Sequence, residues 1–383
     1  MTIVKWPAWP NFGEDESRAV QRVVASNQLF ADREVRSFEQ QFAKYVGVDF
    51  ALGLGNATQG LHLALAALGV GSGDEVIVTP YSWISSASCV LMQNAIPIFC
   101  DIEIKSLGLC IADVERKIST RTKAIILVHM FGYPARVREF VALAEQYGIP
   151  LIEDASHAHG ATVDGHKAGS FGRISVFSLH QRKAISVGDG GVLCTNSQPI
   201  YEHVRRLRSF GHEELSYNYR MTEFAGALGQ VGLGKLDDHN AVRKMNALSL
   251  AALLDGSKYF SVRLENPSES GVYYAVLIDV ISEIKNLDQK LEHLNQLGIP
   301  VRKTWGLLHL HPHFNPAKTP ARGLPWLASD YDGAMREIKY ANVSLPIATY
   351  CCPDRVLELY VHPPAGLREM EFAVASLNSI TSD

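Results

Sequence analysis

Phe177-Ser178-Leu179-His180-Gln181-Arg182-Lys183, running on into Gly188-Asp189-Gly190-Gly191, places one lysine just beyond an apolar strand and just before a glycine-rich turn. A lysine ammonium is a compact charge on a flexible stem, and a pocket that strips it of water favours the neutral, nucleophilic amine. Such an amine can condense with an aldehyde cofactor such as pyridoxal phosphate, and this is where a Schiff-base lysine would sit. Most lysines are solvated surface charges, so the reading needs support from other segments.

Working outward, Pro150-Leu151-Ile152-Glu153-Asp154-Ala155-Ser156-His157 reads as a short buried strand with an acid at its C-terminal end. A carboxylate there suits a protonated pyridine nitrogen, which makes the ring an electron sink, and a helix N-cap is the plainer role for Asp154. Asn56-Ala57-Thr58-Gln59 opens a helical run through Leu61, Leu65 and Leu68 that ends near Gly69. The free amides of such a helix start suit a phosphate.

Apolar runs at Val76 to Val78, Ile96 to Cys100, Ala124 to Val128, Leu151 to Ile152, Ile174 to Phe177 and Val192 to Cys194 alternate with helical patterns such as Pro134 to Tyr147. That alternation predicts an α/β fold with a mainly parallel sheet flanked by helices, and ligands then bind beyond the carboxyl ends of the strands. Trp83, Asp154 and Lys183 all fall there. After a helical stretch from about Met221 to Leu254, alternating runs at Phe260 to Leu264 and Val272 to Val280 precede an amphipathic helix over Ile284 to Leu297 and a closing helix over Leu367 to Ile380. The division expected is a large domain over 1–240 and a smaller α+β C-terminal domain over 241–383. The Pro/Gly-rich segment from Pro312 to Pro325 reads as a loop at the site entrance.

The 383 residues are 47% hydrophobic and 20% charged, ordinary for a globular protein with a large core. A net charge of -4 gives no basic footprint for nucleic acid or an anionic membrane surface. With no apolar run near the length of a membrane span and no signal-peptide core, the expectation is a cytoplasmic protein. Six cysteines without Cys-x-x-Cys spacing read as reduced core residues. His309, His311 and His313 share an extended-chain spacing, but Pro312 interrupts them and no cysteine or carboxylate pair lies near, so no metal is expected.

Along nearly its whole length the chain resembles the DegT/DnrJ-type aminotransferases, a branch of the fold-type I pyridoxal-phosphate enzymes. The matching runs are Gly73 to Val78, Pro80-Tyr81-Ser82-Trp83, Thr122 to Ile125 with His129 to Gly132, Glu153-Asp154-Ala155, Ser178 to Lys183, Gly188 to Gly191, and Asn218-Tyr219-Arg220-Met221-Thr222-Glu223. The resemblance implies transfer of an amino group from glutamate or glutamine to a ketone on a sugar or cyclitol, with Lys183 as Schiff base and proton carrier. It implies Asp154 at the pyridine nitrogen, His157 near the phenolic oxygen and Trp83 stacked on the ring. The phosphate would lie against Ala57, Thr58, Gln59 and Ser178, and against Asn218 of a second subunit, so a homodimer with shared sites is implied. His180 and His309 are its substrate contacts. The chain departs from the family pattern at Ala57, where glycine is usual, at Asp189, where glutamate is commoner, and at Leu307, where proline stands. Trp6-Pro7-Ala8-Trp9-Pro10 and Leu359-Tyr360-Val361-His362 lean toward the cyclitol and aminohydroxybenzoate members. Rival readings are a sugar dehydratase, which would carry histidine in place of Lys183, a 3-amino-5-hydroxybenzoate-type synthase, and a non-catalytic regulatory relative.

Overall fold

Val- and Ile-rich runs without alternation demand cover on both faces, and the strands they form are buried along their length. The computed structural model describes residues 4–30, 32–210, 214–264, 269–315, 325–329, 331, 338–352 and 354–381. Among these, the central sheet is built from β1 (Phe50–Leu54), β2 (Glu75–Val78), β3 (Ile96–Phe99), β4 (Thr122–Val128) and β5 (Leu151–Asp154). Two short strands, β6 (Thr162–Val163) and β7 (His166–Lys167), belong to a separate small sheet, and β8 (Ile174–Ser178) and β9 (Gly191–Thr195) complete the central one. Its spatial order is β1-β9-β8-β5-β4-β2-β3. Only β9 runs against its neighbours, pairing antiparallel with both β8 and β1. The reversal is made by the lysine turn.

The two faces of the sheet divide by residue parity. Ile77, Ile125 and Leu127 pack against Phe140 and Leu143 of one helix (Val137–Tyr147), which ends at Gly148. Val76, Ile126 and Ile152 face the other way, onto Leu61 of the helix Ala57–Ala67 and Cys89 and Val90 of the helix Ser85–Met92. The strand runs read from sequence are all present, and the expected helix over Pro134 to Tyr147 begins three residues later.

A second sheet, all antiparallel, is ordered β10-β12-β14-β13, from β10 (Phe260–Val262), β12 (Val276–Val280), β13 (Val301–Lys303) and β14 (Val356–Leu359). β11 (Glu269–Ser270) instead joins β6. The amphipathic and closing helices lie at Leu287–Gln296 and Leu367–Ser379. The long helix Leu236–Leu253 passes through residue 240 unbroken and packs on both β10 and the closing helix. Polar contacts also tie the layers: Asp101 accepts from the amides of Ile347 and Ala348 at 2.9 and 2.8 Å, and Tyr133 donates to the Arg263 carbonyl at 3.0 Å. Of the Pro/Gly-rich segment, Pro312–Phe314 forms a single 3-10 turn, and 316–324 lie outside the described residues.

Glu153 fastens the strand ends. Fully buried, its carboxylate accepts from the amides of Gly169, Phe171 and Gly172 at 2.8, 2.8 and 2.6 Å, and lies 2.9 Å from His129 Nε2. Replacing it with alanine would leave those donors buried without an acceptor, at about 1–3 kcal/mol for each orphaned group. We expect Glu153→Ala to lower stability by about 3 kcal/mol or more in denaturant titrations, and a loss below about 1 kcal/mol would show that the loop finds other acceptors.

Candidate active site

The lysine turn is closed by its own backbone. Leu179 donates to Gly190 at 2.8 Å, Gln181 to Gly188 at 2.8 Å, Val187 to Leu179 at 3.0 Å and Lys183 to His180 at 2.7 Å. Gly188 sits at φ 92, a left-handed conformation that a side chain would strain. From outside, Trp9 Nε1 donates to the Lys183 carbonyl at 3.0 Å. The turn therefore holds Lys183 at a fixed place beyond β8.

The Lys183 amine lies 4.7 Å from the centre of the Tyr274 ring, a cation–π distance. Burial pushes its pKa down to about 7, against the pull of the Asp154 and Glu358 carboxylates and with help from Arg182. Near neutrality a large fraction of this lysine is a free amine.

Asp154 ends β5 and is 4% exposed. One oxygen accepts from Ser86 Oγ at 2.7 Å and the other from the Ser156 amide at 3.2 Å. Ser86 also bonds Ser82 at 2.8 Å, and the neighbouring Ser85 bonds Thr58 at 2.7 Å. Ser86 thus fastens Asp154, and Ser85 beside it fastens the first turn of the helix Ala57–Ala67. There the Asn56 side chain accepts the Gln59 amide at 2.9 Å, which leaves the first-turn amides of Ala57 and Thr58 with no acceptor inside the helix.

Gly191, opposite Ser178 in the β8/β9 register, brings this helix start against the sheet. A Cβ at 191 would lie 2.5 Å from the Asn56 carbonyl carbon and 2.7 Å from the Ala57 nitrogen. Ala57 needs no positive φ, because it is simply the first residue of the helix. The close approach that glycine at 57 would have allowed is supplied from the other side, by Gly191.

His157 is sandwiched. Its ring stacks on Tyr274 at 4.3 Å and on Phe131 at 5.8 Å, with Trp305 edge-on at 5.6 Å. Nδ1 accepts the Phe131 amide at 3.3 Å, so the neutral ring carries its proton on Nε2. Burial, with the charge of Lys183 behind it, holds His157 well below the usual histidine range. Trp83, by contrast, is 60% exposed, with its indole edge-to-face on Trp305 at 5.7 Å.

Of the residues singled out in the sequence, Lys183, Asp154, His157, Ser178, Trp83 and the Ala57-Thr58-Gln59 turn converge at the strand ends. His180 is exposed one turn from Lys183, with Nδ1 accepting the Arg182 amide at 3.3 Å. His309 is buried against Phe99 at the carboxyl end of β3, with Lys117 and Asp101 as charged neighbours, and Leu308 before it donates to the Pro80 carbonyl at 2.7 Å, on the run that carries Trp83. Asn218 is exposed on a segment bridged to Ser209, and its side-chain oxygen accepts from Arg220 at 3.1 Å.

Sequence reasoning missed the wall opposite. Tyr274, Glu358, Tyr360 and His362 come from the second sheet and its flanks, and Arg243 from the long helix. Tyr360 is edge-on to Tyr274 at 5.5 Å, and Arg243 Nε donates to His362 Nδ1 at 2.9 Å. The two aromatic motifs noted at the chain's ends meet here, with Trp9 stacked on His362 at 4.9 Å. Together with Trp6, Arg182, Arg302 and Tyr360 they line a cavity of about 290 Å³ beside the lysine turn.

The family model for the DegT/DnrJ/EryC1/StrS aminotransferases matches residues 10–347. The chain belongs to this family. It is 33% identical over 341 residues to the L-glutamine:2-deoxy-scyllo-inosose aminotransferase of Streptomyces kanamyceticus, covering 82% of this chain and 80% of that one. The GDP-perosamine synthase of Vibrio cholerae is 37% identical over 222 residues, 56% of this chain and 59% of the other. Among solved structures, 3-amino-5-hydroxybenzoic acid synthase superposes with a TM-score of 0.85 at 25% identity, covering 98% of both chains. This DegT/DnrJ-family chain is thus an aminotransferase, on the family's α/β fold.

The neutral histidines give the site a pH signature. His157, His159 and His362 are all pushed below the ordinary value of 6.5 by burial. Below that value the unfolded chain binds protons that the folded one refuses, so the histidines' contribution is present above pH 6.5 and is lost as pH falls, while Lys183, pushed down to about 7, adds a further rise from pH 7 upward. Glu358, pushed up to about 7 by burial, works in the opposite direction over part of the window and offsets about one of the three protons. Each proton left in excess on the unfolded chain corresponds to about 1.4 kcal/mol per pH unit. Unfolding measured at pH 7.5, 6.5 and 5.5 should therefore show a steep loss, and His157→Gln should flatten it; an unchanged slope would place His157's proton outside the folding equilibrium.

Proposed function

We propose that the protein is a pyridoxal-phosphate-dependent transaminase that moves an amino group from glutamine or glutamate to a ring ketone of a cyclitol, with a nucleotide-linked keto-sugar as the second acceptor class. The observation that carries this reading is a dry lysine amine beside a buried, hydrogen-bonded carboxylate at the carboxyl ends of the strands. The cyclitol leaning rests on a relative that covers 82% of the chain and is named for 2-deoxy-scyllo-inosose as its acceptor. Likeness to the aminohydroxybenzoic acid synthase structure supports a carboxylated ring ketone as the rival acceptor.

The residues fit the cofactor. The Asp154 carboxylate is buried and fixed by Ser86, where a pyridinium nitrogen would need an acid, and the exposed indole face of Trp83 is free to cover a planar ring. The unbonded first-turn amides at Ala57 and Thr58, with the hydroxyls of Thr58 and Ser178, suit a phosphate. His157 Nε2–H is a donor for a phenolic oxygen. Bound there, the cofactor supplies the aldehyde carbon that carries the amino group and the ring that stabilises a carbanion.

Lys183 does the proton work. As a free amine it would hold the cofactor through its aldehyde, with loss of water, and once released by the incoming amine its near-neutral basicity would let it take and return the proton at the substrate carbon. Tyr274 and His157 hold their ring planes parallel and exclude water from its stem. His180, exposed beside it, is placed to meet a hydroxylated acceptor. Asn218 lies on the outer surface of its own chain and completes the phosphate seat of a second copy, so the working unit is a homodimer.

Borohydride reduction of the cofactor-loaded protein should leave a pyridoxyl group on Lys183 in peptide maps, and Lys183→Ala should lose all transamination while keeping its fold. Attachment at any other residue would overturn the reading. With nitrogen-15 glutamine or glutamate and a panel of inososes, keto-sugar nucleotides and carboxylated ring ketones, mass spectrometry should find label in an inosose product. Label only in a nucleotide sugar or a carboxylated ring would move the assignment to that class.

Subunit exchange tests the shared seat. Lys183→Ala chains mixed with Asn218→Ala chains, each inactive alone, should regain up to about half of wild-type activity per mixed dimer, because one site then has both residues. No recovery after demonstrated exchange would keep Asn218 within its own chain or out of the site.

A further inference from the structure

Among the described residues, the cavity beside the lysine turn is lined by two guanidiniums and by no carboxylate. Arg182 reaches it from the turn and Arg302 from β13, while Trp6, Trp9 and Tyr360 give it aromatic walls. At about 290 Å³ it stands at the lower end of the range of about 300–1,000 Å³ usual for small-molecule pockets, which suits a compact molecule better than a nucleotide.

Three donors meet there, each prepared differently. Arg302 is held from behind: Nε donates to the fully buried Glu358 and Nη2 to Tyr360 at 2.7 Å, which leaves Nη1 without an acceptor among the described residues. Arg182 is exposed, and its guanidinium has neither a hydrogen-bond acceptor nor an acid partner among the described residues. His362 also lines the cavity, and burial keeps its ring neutral. Because Nδ1 accepts from Arg243 at 2.9 Å, the ring proton is on Nε2, and that N–H is buried with no partner among the described residues. An orphaned donor is unfavourable until something completes it.

Charge points the same way. Behind Trp9, with its guanidinium 5.1 Å from the indole, Arg243 is fully buried and hydrogen-bonded to two neutral side chains, His362 and Asn240. Glu358 answers Arg302, whereas among the described residues no acid answers Arg182 or Arg243. An anion entering the cavity therefore meets positive charge that the fold leaves open. The planar fork of a guanidinium matches a carboxylate, and aromatic walls suit the carbon body behind it.

We propose that this cavity is a carboxylate subsite of the active site, in which Arg182 and Arg302, with the His362 N–H, bind the acid end of a reactant whose other end meets Lys183. The proposal rests on Lys183 being the reactive amine of the reading above. The cavity is one ring removed from that amine, because Tyr360 is edge-on to Tyr274 at 5.5 Å and the amine lies 4.7 Å from the centre of the Tyr274 ring. Two reactants of that reading carry a carboxylate, the amino donor and a carboxylated ring ketone. With a neutral inosose as acceptor, the subsite serves the donor alone.

The test is calorimetric titration of the full-length, cofactor-loaded protein with glutarate, an open-chain acid without an amine, with shikimate, a hydroxylated ring acid, and with inorganic phosphate. Loading fills the phosphate seat and engages Lys183, so neither takes up the probe. One glutarate or shikimate should bind per chain, and Arg182→Gln should weaken it roughly tenfold or more. Arg182→Lys keeps the charge without the fork and should fall between; it also keeps the question open should the glutamine variant not fold. Binding of phosphate alone, binding of neither acid at millimolar concentration, or affinities unchanged in Arg182→Gln with wild-type circular dichroism would each overturn the proposal.

Half-reactions followed by the absorbance of the cofactor assign the reactant. A rise of roughly tenfold in the half-saturating donor concentration in Arg182→Gln, with the maximal rate little changed, gives the subsite to the donor. The same rise confined to a carboxylated ring ketone gives it to the acceptor, and a change in neither overturns the proposal. Borohydride mapping keeps the two readings apart: absence of a pyridoxyl group from Lys183 in wild type defeats the functional reading, whereas its presence in both proteins with Arg182-independent binding of the acids defeats the subsite alone.

Discussion

The carboxylate of Glu153 gathers the amides of the 169–172 loop and the His129 ring onto the end of β5. Everything functional depends on that knot. It joins the exits of β4 and β5 to the entrance of β8, and the next residue along the chain is Asp154. If the knot opened, Asp154 and the lysine turn would lose their common frame, and the single hydroxyl of Ser86 cannot hold a carboxylate whose own strand end is loose. A buried acid used this way gains specificity of position more than stability, since its desolvation is only just repaid by the bonds it accepts.

The site built on that frame is a place where charge is scarce. Burial drives lysine, histidines and glutamate alike toward their neutral forms, and the few charges that survive do so by facing one another. This explains why the wall facing Lys183 is aromatic. Tyr274 and the rings behind it offer a negative face to a cation without adding a second titrating acid in contact with it, and they leave the amine free to change its protonation state. A carboxylate placed directly on the amine would lock it as an ammonium.

What could be read from the sequence was local. The strand runs, the lysine turn, the acid after Leu151-Ile152 and the capped helix start at Asn56 each carry a short signature of residue type and spacing, and the structure assembles them at one end of the sheet. The opposing wall was not legible, because Tyr274, Glu358 and Arg302 lie in alternating strand patterns that any antiparallel sheet would share. Only the register between β12, β13 and β14 brings them together. The aromatic clusters near Trp9 and His362 were visible as motifs, but nothing in the chain said that they stack on each other across more than three hundred residues. His309 illustrates the converse. A family-like segment fixed its expected role, whereas packing against Phe99 decided its surroundings.

Gly191 has a consequence for how this site can change over generations. Because the backbone of the helix start at Asn56–Ala57 rests where a side chain at 191 would be, the anion seat and the strand that follows the lysine turn are machined to one tolerance. Neither can drift alone. A lineage altering its acceptor preference is thereby steered to residues outside this joint, such as those of the second sheet and the exposed rim near Trp83 and His180, which can vary while the reacting centre stays fixed.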